Sequence, residues 1–381
     1  MKNILITGGA GFIGSNLTLK LINLGYNVTI LDNLSNQIHG DNPKMTSPLY
    51  QSIDGKVNFF NGNVTNRKDW EKVLVNQSIV VHLAAETGTG QSMYQIEKYS
   101  SVNIQGTSIL LDILANQANT VEKVIIASSR AIYGEGKYFS PNQNLFVYPE
   151  VRKVEDMDNG DFEPKCPISG SEVRLVATDE LSKIHPTSIY GISKQNQEQM
   201  VMTACKAIGI ASVALRYQNV YGPGQSLSNP YTGILSIFST RIKNGNAITI
   251  FEDGNESRDF VYIDDIVDAT VLAIENHKAN NQIFNVGAGD NTNVLTVAKL
   301  LVEGYGLEVP IKVNGSYRLG DIRHNYADIS KIKNLLNFNP KINFKNGINK
   351  FIEWVNTQNI VEDNYTLSLN ELKIKGLYKV K

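Results

Sequence analysis

The sequence predicts an α/β protein: a doubly wound parallel sheet with a smaller C-terminal α+β lobe. Its first half alternates short apolar runs with longer amphipathic ones, which is typical of successive β-α-β units. The apolar runs contain few alternating polar residues, as expected for parallel strands covered on both faces. A glycine-rich turn joins the first strand to the first helix. The predicted strands are residues 3–7, 27–31, 57–61, 79–84 and 123–128.

Length, charge and cysteine content narrow the class of protein. The chain has 381 residues, which favours a large domain plus a smaller one. Its net charge of −1 provides no overall field for nucleic acid or an anionic membrane, so we expect neither as a partner. The apolar run at the start stops at Gly8, too soon for a signal peptide, and no run is long enough to span a membrane. With only Cys166 and Cys205 for disulfides, we expect a reducing, cytoplasmic location.

The first predicted helix opens with a phosphate-binding pattern. Gly8, Gly11 and Gly14 lie where a tight turn, a close approach of phosphate and helix–strand packing require glycine. The N-terminus of the helix would then hold a pyrophosphate on its free N–H groups. Because a strand precedes this pattern and a helix follows it, the sequence predicts a Rossmann-type dinucleotide site.

An acidic residue closes the second predicted strand and selects the cofactor. Asp32 lies 18 residues after Gly14, where a carboxylate accepts a hydrogen bond from the ribose 2′-hydroxyl and repels a 2′-phosphate. This arrangement favours NAD over NADP. Asn63, after the third strand, is placed to contact the adenine. No cluster of His, Cys and Asp has the spacing of a metal site, so we expect no metal.

The α/β rhythm breaks after the fifth predicted strand. Residues 137–188 are polar and interrupted by Pro and Gly, which indicates an ordered insertion near a site. We therefore predict a cofactor domain over 1–217 that contains this insertion and returns at about 259–286. Residues 218–258 and 287–381 would form a separate lobe that binds the substrate.

A tyrosine and a lysine one helical turn apart supply a candidate base. Tyr190 and Lys194 in "SIYGISK" lie on one helix face because they are separated by four residues. An ammonium group beside a phenol favours the phenolate, and thus lowers the pKa of the tyrosine towards that of a useful general base.

Together, TGGAGFIG, Asp32, HLAA, Ser-Ser before IYGEG, and YxxxK resemble the extended short-chain dehydrogenase/reductase family. More narrowly, they resemble its NAD-dependent sugar-nucleotide epimerases and dehydratases, over residues 1–355. The resemblance implies that Ser129 completes a catalytic triad with Tyr190 and Lys194. It implies NAD as cofactor, contacted by Gly8, Gly11, Phe12, Ile13, Gly14, Asp32, Asn33, Asn63, Val64, Leu83, Ala84, Ala85, Asn103, Tyr190 and Lys194.

The family resemblance also supplies a substrate site and an assembly. It places Asn219, Arg258, Arg318 and Asp321 where relatives bind a nucleotide diphosphate, and guanidinium groups suit that anion. It also implies a homodimer through the helices at 101–117 and 188–209. The apolar stripe on the second of these helices fits a dimer interface and packing on the chain's own core equally well.

The residues after Ser129 discriminate among reactions. Dehydratases of the family carry Asp-Glu there, whereas this chain has Arg130 and Ala131, which supply no acid and base for elimination. Arg130 has two possible roles, pinning the insertion or contacting the substrate. The resemblance therefore implies redox-neutral epimerisation at the sugar C4. A net NAD(P)-dependent reductase or dehydrogenase, and a non-catalytic dinucleotide sensor, are the alternatives.

Several segments, including "SSRAIYGEG", resemble dTDP-L-rhamnose 4-epimerases, which implies dTDP-L-rhamnose and dTDP-6-deoxy-L-talose as substrate and product. Similar proteins often carry Cys-Pro-x-Cys-Gly in the insertion, but here only Cys166 of that pair is present, which argues against zinc. A UDP-hexose 4-epimerase remains the alternative, because thymine and uracil differ by one methyl group.

Overall fold

The computed structural model describes residues 2–231 and 233–380, and it centres on a seven-stranded parallel sheet. The strand order is β7-β6-β5-β4-β1-β2-β3, so the direction of winding reverses between β1 and β4. Ligands of doubly wound sheets bind at the carboxyl ends of the strands, at this reversal. The strands are β1 (Asn3–Thr7), β2 (Asn27–Asp32), β3 (Asn58–Asn61), β4 (Ile79–His82), β5 (Lys123–Ser129), β6 (Ala211–Tyr217) and β7 (Gln282–Val286).

Helices cover both faces of this sheet, because successive strand residues point to opposite sides. Ile4 and Ile6 pack with α1 and α6, whereas Leu5 packs on the other face with α2, α3 and α4. The longer helices are α1 (Phe12–Asn23), α2 (Arg67–Val73), α3 (Gly106–Asn116), α4 (Ile189–Ile208), α5 (Ile234–Lys243), α6 (Ile263–Glu275), α7 (Val294–Tyr305), α8 (Ser330–Leu336), α9 (Phe344–Asn356) and α10 (Tyr365–Ile374). The shorter ones are Asn36–His39, Pro43–Thr46, Pro48–Ile53, Thr89–Ser92, Ile96–Tyr99, Arg130–Tyr133, Val154–Asp158 and His277–Ala279.

The doubly wound sheet predicted from the sequence is confirmed, with shifts at element ends. A π-helical segment, Ser100–Gln105, leads into α3 where the sequence predicts one continuous helix. Strand β6 ends at Tyr217, and the N–H of the next residue, Gln218, donates to the Val286 carbonyl. The chain leaves the sheet there, and Asn219–Tyr221 pairs with Phe260–Tyr262 instead.

Short strands build the insertion and the lobe. In the insertion, three antiparallel strands pack Cys166 against Tyr138 and Val147, so side-chain packing holds this segment. The insertion strands are Tyr138–Ser140, Leu145–Val147 and Arg174–Leu175. The remaining pairs join Ile248–Ile250 to Ile311–Val313, Ser257–Arg258 to both Thr292–Asn293 and His324–Asn325, and Tyr317–Arg318 to Tyr378–Lys379. The assignment of 1–217 with 259–286, and of 218–258 with 287–381, to separate functional domains stays a prediction.

Two further features bear on assembly and location. The apolar stripe of α4 is used by the monomer itself, since Val201 is fully buried in the core and Met200 packs against it. The homodimer therefore stays a prediction. None of the helices in the described part of the chain combines the length and the apolar character needed to cross a membrane.

Candidate active site

A cavity of about 620 Å³ opens at the carboxyl ends of the strands, between the sheet and the lobe. It brings together nearly all of the residues that the sequence singles out. On its cofactor side are Gly8, Gly11, Phe12, Ile13, Gly14, Asp32, Asn33, Asn63, Val64, Leu83, Ala84 and Ala85. Deeper and towards the lobe are Ser129, Arg130, Tyr190, Lys194, Asn219, Arg258, Arg318 and Asp321.

The glycine turn has no room for side chains. Gly8 has a φ of +68°, and a Cβ on it would lie 2.8 Å from the Ala84 nitrogen. A Cβ on Gly14 would lie 2.2 Å from the Gly8 carbonyl oxygen. Gly11 caps α1 without a side-chain hydrogen bond, so the N–H groups of the first turn face the cavity without a competing side chain. This cradle fits the pyrophosphate of a dinucleotide.

Asp32 closes β2 beside this turn and is held by the backbone. Its Oδ2 accepts from the Ala10 N–H and its Oδ1 from the Leu34 N–H, both at 2.9 Å. Burial raises the pKa of Asp32, and these two hydrogen bonds oppose the rise. Each carboxylate oxygen has a second lone pair, so the side chain can still accept from a ribose hydroxyl.

Two predicted cofactor residues have unexpected partners. The side-chain carbonyl of Asn63 accepts from the Thr65 N–H at 3.0 Å, so its link to adenine would be a second hydrogen bond. Asn103 does not line the cavity. It is fully buried, and its amide bridges the Glu86 backbone and the Ser193 hydroxyl at 2.8–3.1 Å. Asn103 thus ties the segment after β4 to α4, and its predicted cofactor contact would be indirect.

A buried polar chain, which the sequence analysis did not find, supports Lys194. The Lys194 Nζ donates to Gln197 Oε1 at 2.7 Å, and Gln197 Nε2 donates to Thr107 Oγ1 at 2.8 Å. Because the Thr107 hydroxyl donates to a backbone carbonyl, His82 must donate from Nε2 and accept from the Thr7 hydroxyl at Nδ1. Burial, with the charge of Lys194, lowers the pKa of His82 to about 3. His82 is therefore a neutral structural residue.

Tyr190 is partly buried at the first turn of α4, where it lines the cavity. Burial raises the pKa of its phenol, while a hydrogen bond from Ser129 and the charge of Arg130 lower it. The spacing of Tyr190 and Lys194 predicts that Lys194 lowers this pKa. In the structure the Lys194 ammonium instead faces Gln197, and burial lowers its own pKa to about 7. Ser129 and Arg130 therefore favour the phenolate of Tyr190.

Arg130 follows Ser129 and lies between the base and the lobe. Burial and the charge of Arg258 lower its pKa to about 9, and the charges of Asp321 and Tyr190 raise it. It forms no salt bridge with any residue in 2–231 or 233–380. A half-buried guanidinium that lines a cavity without a carboxylate partner is suited to a ligand or to the Tyr190 phenolate.

Two further arginines and an amide form the lobe side of the cavity. Arg258 donates to three backbone carbonyls at 2.7–2.9 Å, which fixes its guanidinium. Arg318 binds the Asp321 carboxylate through Nε at 2.8 Å and Nη2 at 2.7 Å. The Oδ1 of Asn219 is buried without a hydrogen-bond partner among the described residues. The two guanidinium groups offer charge and hydrogen bonds to an anionic ligand, and the Asn219 oxygen can accept from a ligand N–H or O–H group.

Buried ion pairs and hydrogen bonds join the insertion to the lobe side of the cavity. Arg152, in the insertion, donates to the Asp321 carbonyl at 2.8 Å and to the Glu252 carboxylate at 2.9 Å. The fully buried Arg323 binds Glu252 at 2.8 Å and Glu163 of the insertion at 2.7 Å. The loop that carries Arg318 and Asp321 is thereby tied to the insertion, and sequence spacing could not have revealed these pairs.

Comparisons with known proteins agree with this site. The model of the NAD dependent epimerase/dehydratase family matches residues 4–153 and 168–287. A dTDP-L-rhamnose 4-epimerase of Burkholderia thailandensis is 35% identical, over 93% of this chain and 95% of the relative. A solved UDP-glucose 4-epimerase of Thermotoga maritima with UDP-glucose has a TM-score of 0.74 and 31% identity, over 93% and 98% of the chains. A UDP-glucuronic acid 4-epimerase of Bacillus cereus, solved with UDP-glucuronic acid and NAD, has a TM-score of 0.75 and 26% identity, over 93% and 99%.

The chain belongs to the NAD-dependent epimerase/dehydratase family, within the extended short-chain dehydrogenase/reductases. The predictions of an NAD cofactor and of an isomerase that acts on a nucleotide sugar at C4 are confirmed at this level. The glycine cradle and Asp32 fit that cofactor.

Proposed function

We propose that this enzyme interconverts dTDP-L-rhamnose and dTDP-6-deoxy-L-talose, with Tyr190 as the base. The observation that carries the proposal is the grouping of Tyr190, Ser129 and Arg130 at one end of a cavity whose lobe side holds Arg258 and Arg318. The arginines suit a diphosphate, and Tyr190 then faces the attached sugar. The relative from Burkholderia thailandensis supports the choice of dTDP-L-rhamnose.

The proposed mechanism uses one proton acceptor. When bound, NAD supplies the exchange of hydride with the sugar C4. The Tyr190 phenolate accepts the proton of the sugar 4-hydroxyl and returns it after the 4-keto sugar has turned over in the cavity. Ser129 is a hydrogen-bond partner for O4. The positive charge of Arg130 stabilises the Tyr190 phenolate before proton transfer, because it lowers the pKa of Tyr190.

The absence of an acid–base pair after Ser129 argues against dehydration. Elimination of water needs one group to protonate the leaving hydroxyl and another to remove a proton from the neighbouring carbon. Arg130 and Ala131 occupy these positions and supply neither group.

UDP-hexose epimerisation is the second candidate, and the comparisons are what favour it. A putative UDP-glucose 4-epimerase of Methanocaldococcus jannaschii is 30% identical over 93% of this chain, and the solved relatives above contain UDP-sugars.

We also propose a homodimer in the cytoplasm, on the family resemblance and the reduced cysteines.

Incubation with dTDP-, UDP-, GDP- and CDP-sugars, followed by NMR of the sugar C4, tests the proposal. We expect dTDP-L-rhamnose to give the C4-inverted product without net change in NAD. Inversion of UDP-glucose but not dTDP-L-rhamnose would replace the substrate assignment. Accumulation of NADH equal to the product would replace epimerisation by net oxidation.

A further inference from the structure

The C-terminal segment, residues 361–380, adds a wall to the cavity. Four of its side chains line the cavity: Tyr365, Ser368, Leu369 and Leu372. Leu372 is only 2% exposed, although it lies in the last helix of the chain. This segment, which we call the strap, thus takes part in the site described above rather than extending into solvent.

The root of the strap is fixed to the lobe. Asp363 accepts from the Arg241 guanidinium at 3.1 Å and from the Asn246 amide at 2.7 Å, and both partners of the ion pair are nearly buried. The Arg241 guanidinium also lies 4.6 Å from the centre of the Tyr365 ring. A buried, doubly bonded carboxylate of this kind holds the start of α10 in one position.

The middle of the strap reaches the other side of the cavity. The Tyr231 hydroxyl donates to the Glu371 carboxylate, and the Tyr94 hydroxyl donates to Tyr231 at 3.0 Å. Leu372 packs against the backbone at Gly90, in the loop that follows β4. The strap therefore contacts both the cofactor side and the lobe side of the cavity.

The end of the strap positions a predicted substrate residue. Strand Tyr378–Lys379 pairs with Tyr317–Arg318, and the Leu319 N–H donates to the Leu377 carbonyl at 2.9 Å. The Tyr378 ring lies 5.3 Å from that of Phe251, and the Arg318 guanidinium lies 5.3 Å from the Phe251 ring. Phe251 and Arg318 both line the cavity.

The neighbours of Tyr378 indicate which part of the ligand it serves. Its ring packs on Phe251, which lines the cavity. The guanidinium of Arg318, a predicted diphosphate-binding residue, contacts the same Phe251 ring and binds Asp321. Tyr378 thus supports the part of the cavity wall next to the predicted diphosphate site.

We propose that the strap completes the nucleoside end of the sugar-nucleotide site and holds Phe251 and Arg318 in their binding positions. The inference rests on the proposed function, because it takes a nucleoside diphosphate as the ligand. An aromatic ring braced by Tyr378 and next to a guanidinium suits a planar base that is attached to a diphosphate. Because Tyr378 contacts Phe251 and the strand of Arg318 on the lobe side, NAD binding should not depend on Tyr378.

The test uses the full chain with dTDP, UDP and NADH as separate probes in titration calorimetry. We expect Tyr378→Ala to lower the affinity for dTDP and for UDP by about tenfold and to leave the affinity for NADH unchanged. Tyr378→Phe keeps the ring and should bind like wild type. Glu371→Ala removes the hydrogen bond that holds the middle of the strap. It should lower the affinity for both nucleotides and increase tryptic cleavage after Lys373 or Lys375.

Leu367→Ala is the matched control, since Leu367 lies on the same helix but is 66% exposed. It should leave all three affinities unchanged. Tyr378→Ala protein that bound dTDP and UDP like wild type would overturn this inference alone. Equal losses for NADH and the nucleotides would also overturn it, because they would indicate a global effect. Wild-type protein that bound NADH but neither nucleotide would overturn the proposed function, and this inference with it.

Discussion

The two sides of the cavity differ in the chemical groups that line them. The cofactor side consists mainly of glycines and backbone N–H groups, with Asp32 and Lys194 as charged groups. Fully buried neutral side chains, His82 and Thr107, belong to the polar chain that supports Lys194. The lobe side consists of guanidinium and carboxylate groups, among them Arg318 with Asp321. Close backbone packing is therefore the main feature of the first side, and paired charge is the main feature of the second.

This difference predicts how each side responds to change. Close backbone packing leaves no space for an added methyl group, so the cofactor side should fail sterically. Charged groups tolerate small changes in shape but depend on ionic partners. Tyr190 lies where the two sides meet. Its substitution should lower the rate of turnover without weakening the binding of either the cofactor or the nucleotide.

The largest expected effect is that of Tyr190→Phe. Removing a general base typically costs about 10²- to 10⁴-fold, and we expect kcat to fall by roughly 10³-fold while NADH and dTDP still bind. Steady-state kinetics and calorimetry measure this. Tyr148→Phe, on a tyrosine outside the cavity, is the control. Unchanged kcat in Tyr190→Phe would remove Tyr190 from the mechanism.

Gly14→Ala should break the cofactor side. Its Cβ would lie 2.2 Å from the Gly8 oxygen and 2.6 Å from the Gly9 Cα, and backbone atoms cannot move aside cheaply. We expect the free energy of unfolding to fall by about 3 kcal/mol, together with NADH affinity, in urea titration and calorimetry. Gly90→Ala is the control, because its nearest neighbour would be a side-chain carbon at 3.6 Å. Normal stability in Gly14→Ala would contradict the steric description.

Arg318→Met should affect only the lobe side. Hydrogen bonds to charged groups contribute about 1.5–3 kcal/mol, so dTDP affinity should fall about 10- to 100-fold with NADH affinity retained. Arg67→Met makes the same charge change on an exposed arginine that pairs with Glu71 and Asp112. A parallel loss of dTDP affinity in both variants would mean that net charge, and not the site, controls binding.

Arg130→Gln should have the smallest effect and the most specific one. Because the charge of Arg130 lowers the pKa of Tyr190, its removal should raise that pKa. The acidic limb of the pH profile of kcat/KM should then move to higher pH, since the phenolate forms later. Arg130→Lys retains the charge and should move the limb less. An unshifted limb in Arg130→Gln would leave Arg130 with a role in substrate binding alone.

Local patterns were sufficient to predict the cofactor side. The spacing of Gly8, Gly11 and Gly14 and the position of Asp32 at a strand end are short-range features, and the sheet follows from alternating apolar runs. Tyr190 and Lys194 were predictable for the same reason, as neighbours on one helix face.

The remainder depends on contacts between distant parts of the chain. Asn103 lies in a π-helical segment and donates to Ser193, on a helix 90 residues further along the chain. Gln197 takes the hydrogen bond of Lys194, a partner that the sequence pattern did not indicate, and the effect of Lys194 on Tyr190 stays a prediction. The pairing of Arg152 with Glu252 joins the insertion to the lobe, and no sequence period reports it.

The seventh strand of the sheet has a consequence for synthesis. β7 pairs with β6, yet the chain between them first builds α5 and other parts of the lobe. Because a ribosome releases the chain from its N-terminus, β6 keeps an open hydrogen-bonding edge until residue 286 has emerged. Open strand edges recruit other strands. A nascent chain of this enzyme therefore still carries an open strand edge late in translation, when most of the cofactor side is already present.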